Sequence, residues 1–281
     1  MLETLTKSRI GEILDSIGAA PLRSRGQNFL IDPGSLDAIS RAVLAQESDV
    51  LIEIGPGLGA LTGLLLEGPR PVHAIEVDPA FCRYLRTALP GLHLHEADAL
   101  EVLQSLAAVR SFDESILGPG SVAPGMPARK SALCGNLPYS ITTDLLRNSV
   151  RVDWIESAVF LTQLEFAERI CSGDSKSSFG IYLGCRGAFK KLRKVGRQAF
   201  YPAPSVDSAL IQFTRHARKC DPEILERVLR SSFHTKRKKI SNSWKIAAPV
   251  TGLDPDLLVS CALDCGISTD ARPEEVTPEQ Y

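Results

Sequence analysis

The chain has 281 residues, of which 44% are hydrophobic and 23% are charged. That balance is typical of a globular protein with a sizeable core, and it excludes a disordered or fibrous chain. The formal net charge of −1, taken alone, argues against a nucleic-acid partner, because phosphate binding requires basic surface. No apolar run reaches the roughly 18 residues of a membrane span, and charged residues occupy the place of a signal peptide. We therefore expect a cytoplasmic protein with no membrane partner.

Cysteine and histidine patterns give no sign of a metal site. The seven cysteines include no CxxC pair, which favours reduced thiols over disulfides or a zinc site. His93 and His95 alternate along a predicted strand and share one face, but no acidic or sulfur ligands accompany them. We interpret both as ordinary strand residues and expect no bound metal.

Strand-like and helix-like segments alternate between residues 50 and 213, which is typical of βαβ units around a parallel sheet. The predicted fold class is therefore α/β, with a Rossmann-like sheet that carries helices on both faces. Predicted strands begin at Val50, Val72, Leu92, Ser131, Ser157 and Ser208. Predicted helices end at Leu66, cover residues 79–88 and about 99–109, and begin near Ile141.

Two composition changes divide the chain. A Gly/Pro-rich stretch near residues 110–130, with GPGSVAPG from Gly118, predicts a flexible insertion. Beyond residue 213, helical periodicity begins at Pro222 and again at Asp254, without a strong strand signal. We predict a main domain over residues 1–216, which includes an N-terminal arm, and a small all-α domain over residues 217–281.

A glycine turn follows the first predicted strand. In EIGPGLGAL, Gly55, Gly57 and Gly59 separate the strand from a helix, so that the backbone can approach a ligand beside a positive helix N-terminus. This favours a nucleotide-like ligand over a purely structural turn. Gly55, Gly57 and Ala60 also satisfy GxGxx[GA], so a dinucleotide cofactor of a dehydrogenase stays an alternative at this point.

Glu76 and Asp98 end the second and third predicted strands. Glu76 could accept hydrogen bonds from both hydroxyls of a ribose, and Asp98 from the amino group of an adenine. The alternatives are a solvated acid at Glu76 and a helix N-cap at Asp98. Their placement with Gly55 at the carboxyl ends of adjacent strands favours ligand binding.

The segment GNLPYSITTDLL after the fourth predicted strand favours a methyltransferase. Asn136 can accept from an exocyclic amino group, Pro138 stiffens the loop, and Tyr139 presents a ring on which a base can stack. Acceptance by Asn136 and the Leu137 carbonyl would let the amine lone pair attack a sulfonium methyl group. No strong general base is needed, since the nitrogen acidifies on alkylation. The alternative is a proline turn with a buried tyrosine.

These motifs, in this order, resemble the KsgA-type rRNA adenine N6,N6-dimethyltransferase family of class I methyltransferases, over nearly the whole chain. The resemblance is carried by GQNFLID from Gly26, EIGPGLGALT from Glu53, AIEVD from Ala74, EADAL from Glu96, GNLPYSITT from Gly135, residues 163–170 and AFYPAPSVDSALI from Ala199. The departures are Arg25 for an aromatic residue, Ser140 for an asparagine, Leu164 for a lysine, and a longer insertion around Gly118.

The resemblance implies S-adenosylmethionine as the cofactor. It also implies the substrate: two adjacent adenines in a hairpin near the 3′ end of small-subunit (16S) rRNA, dimethylated at the exocyclic nitrogen in ribosome biogenesis. The implied partners are this rRNA and the pre-ribosomal small subunit, and we expect a monomer. The implied cofactor contacts are Asn28, Leu30, Gly55, Gly57, Glu76, Asp98 and Asn136. The implied catalytic loop is Asn136, Leu137, Pro138 and Tyr139.

Two other functions fit the same fold. One is a large-subunit (23S) rRNA adenine methyltransferase, against which the leucine in NLPY argues because an isoleucine is expected there. The other is a catalytically idle RNA-binding assembly factor, against which the intact loop over residues 136–139 argues.

Basic residues are concentrated in one part of the chain. Residues 186–245 carry 16 Lys+Arg and 4 Asp+Glu, whereas the other 221 residues carry 16 and 29. The near-neutral total therefore hides a basic segment, and it does not exclude RNA. Such runs are usually solvated faces, but an RNA hairpin requires phosphate contacts. Candidate RNA contacts are Lys190, Lys191, Arg193, Lys194, Lys236, Arg237, Lys238 and Lys239.

Overall fold

The computed structural model describes residues 5–20, 27–106, 130–173, 177–217, 221–235 and 237–281. Residues 107–129, which contain most of the predicted insertion, lie outside this part, as do Arg25, Gly26 and Lys236. The chain forms two compact units, Met1–Glu168 with Lys190–Thr214, and Arg169–Phe189 with Arg215–Tyr281. The second unit thus takes in a segment that precedes residue 217.

Strands and helices alternate through the first unit, and the second unit is mostly helical. The strands are β1 Phe29–Leu30, β2 Val50–Ile54, β3 Val72–Glu76, β4 His93–Glu96, β5 Ser131–Asn136, β6 Ile155–Gln163, β7 Gly187–Val195, β8 Phe200–Tyr201 and β9 Ser208–Arg215. The helices are α1 Lys7–Ile17, α2 Pro33–Leu44, α3 Ala60–Leu65, α4 Pro79–Ala88, α5 Ala99–Leu106, α6 Thr142–Arg151, α7 Leu164–Cys171, α8 Ser178–Arg186, α9 Pro222–Ser232, α10 Ile240–Thr251 and α11 Pro255–Asp264. The six predicted strands are confirmed as β2 to β6 and β9, and so is the α/β fold class.

One seven-stranded sheet has the order β4-β3-β2-β5-β6-β9-β7. The neighbours from β4 to β6 are parallel, and β9 runs antiparallel to β6. Every residue of β2 and β3 is buried, as in a parallel sheet covered by other elements. The carboxyl ends of β2 to β6 therefore meet at one edge of the sheet, where open α/β sheets bind ligands.

A second, two-stranded sheet ties the N-terminal arm to the loop before β9. Phe29 pairs with Tyr201 and Leu30 with Phe200, antiparallel. The ring of Phe29 also meets that of Phe81 edge-on, with centroids 5.8 Å apart, inside an apolar cluster that includes α1. The arm is therefore packed against the glycine-turn end of the sheet.

Four helices begin with the same Asp–Pro pair, at residues 32, 78, 221 and 254. In each case the aspartate side chain accepts a backbone N–H of the first turn, and the proline occupies a position whose N–H would have no partner within the helix. This pairing explains why the start of α4 could be predicted to the residue.

Strand β7 was not predicted, because its residues Gly187–Val195 were interpreted only as a basic run. Just its two end residues are buried, so the alternation that marks a strand is weak. Lysines along a strand at the end of a sheet also discourage pairing with other chains. The charge pattern of this segment thus reflects its edge position.

The second unit has its own apolar cluster around Trp244 of α10, whose indole N–H donates to the Ser232 hydroxyl at 2.9 Å. Helix α10 was also missed, and it contains Pro249 in its last turn. Among the described residues, no helix has the length and apolar character needed to cross a bilayer. Nor do the described residues include three or more His, Cys, Asp or Glu side chains placed to bind a metal.

Three histidines stack across β3 and β4. The ring of His73 lies 4.6 Å from that of His93 and 5.4 Å from that of His95, measured between centroids. His73 Nδ1 is 3.1 Å from His95 Nε2, within hydrogen-bond distance. Burial, and then the nearby His93, lower the pKa of His95 from its usual 6.5.

We expect the folded state to lose stability as the pH falls below 6.5. At such pH values His95 binds a proton more readily in the unfolded chain than in the folded one. The contribution of neutral His95 to the free energy of unfolding is therefore complete at higher pH and is lost on acidification. Urea denaturation measures the free energy of unfolding at pH 5.5 and at pH 7.5. The difference between these two values should be smaller for His95→Gln than for the wild type. The exposed His234→Gln serves as the control, and equal pH dependence in wild type and His95→Gln would contradict the interpretation.

Candidate active site

A cavity of about 470 Å³ lies at the carboxyl edge of the sheet. Its walls come from the N-terminal arm, the glycine turn after β2, the ends of β3 and β4, and the loop after β5. The volume is in the range of small-molecule sites. The structure brings all seven residues expected to contact the cofactor to this cavity: Asn28, Leu30, Gly55, Gly57, Glu76, Asp98 and Asn136.

The glycine turn has a backbone that suits glycine at each of its three positions. Gly55, Gly57 and Gly59 have φ values of 66°, 58° and 80°, in the left-handed region. A Cβ on Gly57 would also lie 3.4 Å from the ring of Phe29. A side chain at any of the three positions would therefore strain the backbone, and at Gly57 its Cβ would touch the arm.

Glu76 is buried at the end of β3, and both of its carboxylate oxygens accept backbone hydrogen bonds. Oε1 accepts from the N–H groups of Val77 and Asp78, each at 2.9 Å, and Oε2 accepts from that of Gly57 at 3.2 Å. Burial raises the pKa of Glu76, and these bonds oppose the rise. The carboxylate is thus held in one orientation, linked to the glycine turn.

Asp98 combines the two roles that the sequence left open. Its Oδ1 accepts the backbone N–H of Leu100 at 2.7 Å, which makes it the N-cap of α5. The same side chain lines the cavity. Because capping uses Oδ1, Oδ2 can still accept a hydrogen bond from a ligand.

Asn136 is connected to the N-terminal arm. Its side-chain Nδ2 donates to the backbone carbonyl of Asn28 at 2.8 Å, across 108 residues of sequence. Its Oδ1 has no hydrogen-bond partner in the described part of the chain, and Asn136 lines the cavity. The amide is therefore oriented by the arm with its acceptor left for a ligand.

Leu137 and Pro138 of the loop are fixed by a backbone hydrogen bond and by a threonine hydroxyl. The Leu137 N–H donates to the carbonyl of Leu161 in β6 at 3.0 Å, and the Leu137 side chain is buried. The Thr142 hydroxyl donates to the Pro138 carbonyl at 2.9 Å. Pro138 and Asn136 line the cavity, whereas Leu137 and Tyr139 do not.

Tyr139 is anchored by its hydroxyl, which lies 2.7 Å from the Ser208 hydroxyl at the start of β9. Burial raises the pKa of Tyr139, and the bond to Ser208 opposes the rise. The tyrosine therefore extends from the loop towards β9. Sequence reasoning assigned its ring but missed this partner, because 69 residues separate the two positions.

Glu53 was also missed as a site residue. It lies in the fully buried strand β2, lines the cavity and accepts a hydrogen bond from the Thr62 hydroxyl at 2.6 Å. Burial, with a smaller contribution from nearby Glu76, raises the pKa of Glu53 to about 7, and the Thr62 bond opposes the rise. The available signal was a single acid within the apolar run VLIEI.

Comparison with known proteins identifies the family. The family model described as ribosomal RNA adenine dimethylase matches residues 22–253, most of the chain. The chain belongs to the ribosomal RNA adenine dimethylase family. This family member is 31% identical to "Ribosomal RNA small subunit methyltransferase A" of Leifsonia xyli subsp. xyli, over 98% of this chain and 95% of that relative. It is 37% identical to the protein so named in Chlorobaculum parvum, over 80% of this chain and 78% of that relative.

Solved structures agree with this adenine dimethylase fold. The 23S rRNA methyltransferase ErmE has a TM-score of 0.59 and 25% identity, and the match covers 90% of this chain and 96% of ErmE. A dimethyladenosine transferase from Plasmodium falciparum has a TM-score of 0.62 and 21% identity, with 89% and 94% covered. The second likeness concerns the fold alone. The sheet and its helices are thus those of a Rossmann-like class I methyltransferase.

The candidate RNA-binding side chains of this adenine dimethylase differ in their availability. Several are engaged within the protein: Lys191 pairs with Glu168, Lys194 with Asp207 and Lys239 with Asp270, each at 2.8 Å, and Arg193 donates to the Gly34 carbonyl at 3.3 Å. Lys190, Arg237 and Lys238 are exposed without a side-chain partner among the described residues, and Lys236 lies outside them. The sequence could not distinguish these two groups.

We expect Glu53→Gln to raise the free energy of unfolding of this protein, and to raise it most at high pH. The wild-type carboxyl ionises near pH 4.5 in the unfolded chain but near pH 7 in the folded one. The loss of folding stability caused by this carboxyl therefore grows between these pH values and is complete above pH 7. The gain should approach about 3 kcal/mol at pH 8 and shrink towards pH 5. Urea denaturation at both pH values measures it, with the exposed Glu47→Gln as control. A gain that is equal at pH 5 and pH 8 would contradict the pKa assignment.

Proposed function

We propose that this protein transfers methyl groups from S-adenosylmethionine to the exocyclic nitrogen of two adjacent adenines near the 3′ end of small-subunit (16S) rRNA. Family membership supports adenine dimethylation, and relatives with 31% and 37% identity carry the name of a small-subunit enzyme. The observation that carries the proposal is the Asn136 amide, oriented by Asn28 with its oxygen left as an acceptor beside the cavity.

The lining of the cavity fits S-adenosylmethionine, which would supply an electrophilic methyl group on a sulfonium centre. Three backbone N–H groups already use most of the acceptor capacity of Glu76, so one position on Oε2 would accept a ribose hydroxyl. Oδ2 of Asp98 would accept the adenine amino group of the cofactor. Gly55 and Gly57 would let the backbone approach it closely, and the arm residues Asn28 and Leu30 would cover it.

The catalytic loop would act on the target adenine by orientation. Asn136 Oδ1 and the Leu137 carbonyl would accept the two N–H bonds of the exocyclic amine, which directs its lone pair at the methyl group. Pro138 would border the base, and the Tyr139 ring, anchored at Ser208, would stack on it. The proton would leave after methylation, when the nitrogen is acidic, so no basic side chain is required.

The choice between ribosomal subunits rests on the relatives. ErmE, named for 23S rRNA, shares 25% identity, whereas the relatives named for the small subunit share 31% and 37%. This favours 16S rRNA, and a large-subunit target is the alternative. The partners would be this rRNA and the pre-ribosomal small subunit, with the protein acting as a monomer in the cytoplasm.

We expect Asn136→Ala to reduce methyl transfer by about 100-fold or more, the usual effect of removing an orienting hydrogen-bond group at a reacting centre. The assay is transfer of labelled methyl groups from S-adenosylmethionine to unmethylated small subunits. The control is Asn242→Ala, which changes an exposed asparagine of α10. Wild-type rates in the Asn136 variant would contradict its role, and absence of transfer by the wild type would contradict the proposed function.

Removing Lys190 and removing its neighbour Lys191 in β7 should affect RNA binding differently. Lys190→Ala should weaken RNA binding and reduce the slope of log Kd against log salt by about one, because Lys190 has no side-chain partner in the described part of the protein. Lys191→Ala should change the slope less, since Lys191 already pairs with Glu168. Filter binding to small-subunit rRNA between low and moderate salt provides the measurement. Identical slopes for both variants would contradict this assignment.

A further inference from the structure

A second cavity, of about 490 Å³, has no lining residue in common with the first among the residues that the structure describes. Its walls come from the end of β6, the start of α7, the turn at Arg197 and the loop before β9. Its lining includes Gln163, Leu164, Glu165, Arg197, Val206 and Asp207.

Strand geometry places this cavity next to the proposed target site. Leu161 lines the first cavity and Gln163 the second, two residues further along β6, a rise of about 7 Å. Gln163 pairs with Ser208, which binds the Tyr139 hydroxyl and directly follows Asp207. The anchored tyrosine therefore extends from the loop of the first cavity to the border of the second.

The second cavity offers polar side chains that a ligand could bind. The side chains of Gln163 and Glu165 make no hydrogen bond within the described part of the chain. Among the described residues, the guanidinium of Arg197 has only a long contact of 3.5 Å, to the Ser205 carbonyl. Asp207 is instead occupied, since it binds Lys194 and the backbone N–H of Arg197 and so fixes the turn.

The cavity also has an apolar wall. Among the described residues of the first unit, Val77 and Val206 are the two exposed large apolar residues, with 47% and 42% of their surface accessible to solvent. Val77 lines the first cavity and Val206 the second, where Leu164 accompanies it. An exposed apolar wall, two free acceptors and a cation together match a nucleotide: a base face, an exocyclic amino group and a phosphate.

We propose that the second cavity holds the nucleotide next to the adenine being methylated. This inference rests on the proposed function, which supplies an RNA strand with an adenine at Tyr139. The neighbouring base packs against Val206 and Leu164, its amino group donates to Gln163 and Glu165, and its phosphate meets Arg197. A base with an exocyclic amino group, such as a second adenine, is preferred over one without.

The test combines protein and RNA changes. Small subunits are reconstituted from unmethylated rRNA in which one or the other adenine of the pair is abasic, and methyl transfer to the remaining adenine is measured. With the wild type, kcat/KM should be about tenfold lower on one of the two abasic substrates than on the intact pair. On the intact pair, Glu165→Ala and Val206→Ala should each lower kcat/KM, and the double variant should lower it about tenfold. On that abasic substrate, the double variant should show little further loss of kcat/KM.

The matched control is Glu47→Ala, an exposed glutamate that lines neither cavity. Unchanged melting temperature and unchanged affinity for S-adenosylmethionine would show that the cavity variants are folded and keep the first cavity. If the wild type methylates the intact pair but the cavity variants match Glu47→Ala, the inference is overturned. It is also overturned if neither abasic site lowers the kcat/KM of the wild type. The same holds if each abasic site lowers the kcat/KM of the double variant as much as it lowers that of the wild type. Absence of transfer by the wild type to the intact pair would instead refute the proposed function.

Discussion

The close approach of β5 to β2 at Gly135 is the constraint on which the site depends. A Cβ at this position would lie 2.4 Å from the carbonyl oxygen of Ile54, and the φ of 155° also favours glycine. The two strands can therefore stay close together beyond their last paired residues, Glu53 and Cys134. Because Gly55 follows Ile54 and Asn136 follows Gly135, this contact places the glycine turn beside the catalytic loop.

The polar groups around this contact are fixed by the protein before any ligand binds. Backbone N–H groups orient Glu76, the carbonyl of Asn28 orients Asn136, and the hydroxyl of Ser208 anchors Tyr139. Orientation of the reacting groups is the main contribution that such a site can make when the nucleophile needs no strong base. The site is thus assembled from hydrogen bonds between segments that are distant in sequence.

The sequence predicted the central sheet and the cavity residues at the ends of its strands because both leave local patterns, whereas Asn28 and Leu30 were expected only from the family resemblance. Buried parallel strands are continuous apolar runs, and the glycine turn and NLPY are short motifs at their ends. Strand β7 left no such pattern, since its exposed edge is basic and barely alternates. The role of Glu53, the bond from Tyr139 to Ser208 and the pairing of Lys191 with Glu168 depend on tertiary contacts, which no local pattern encodes.

The central claim is that the cavity and the loop after β5 form one site for adenine dimethylation in small-subunit rRNA. The most direct measurement is mass spectrometric mapping of the nucleosides modified when the purified protein and S-adenosylmethionine act on unmethylated ribosomal subunits. The account predicts N6,N6-dimethyladenine at two adjacent positions near the 3′ end of 16S rRNA. Modification of 23S rRNA instead, or methyl groups at an atom other than the exocyclic nitrogen, would contradict it.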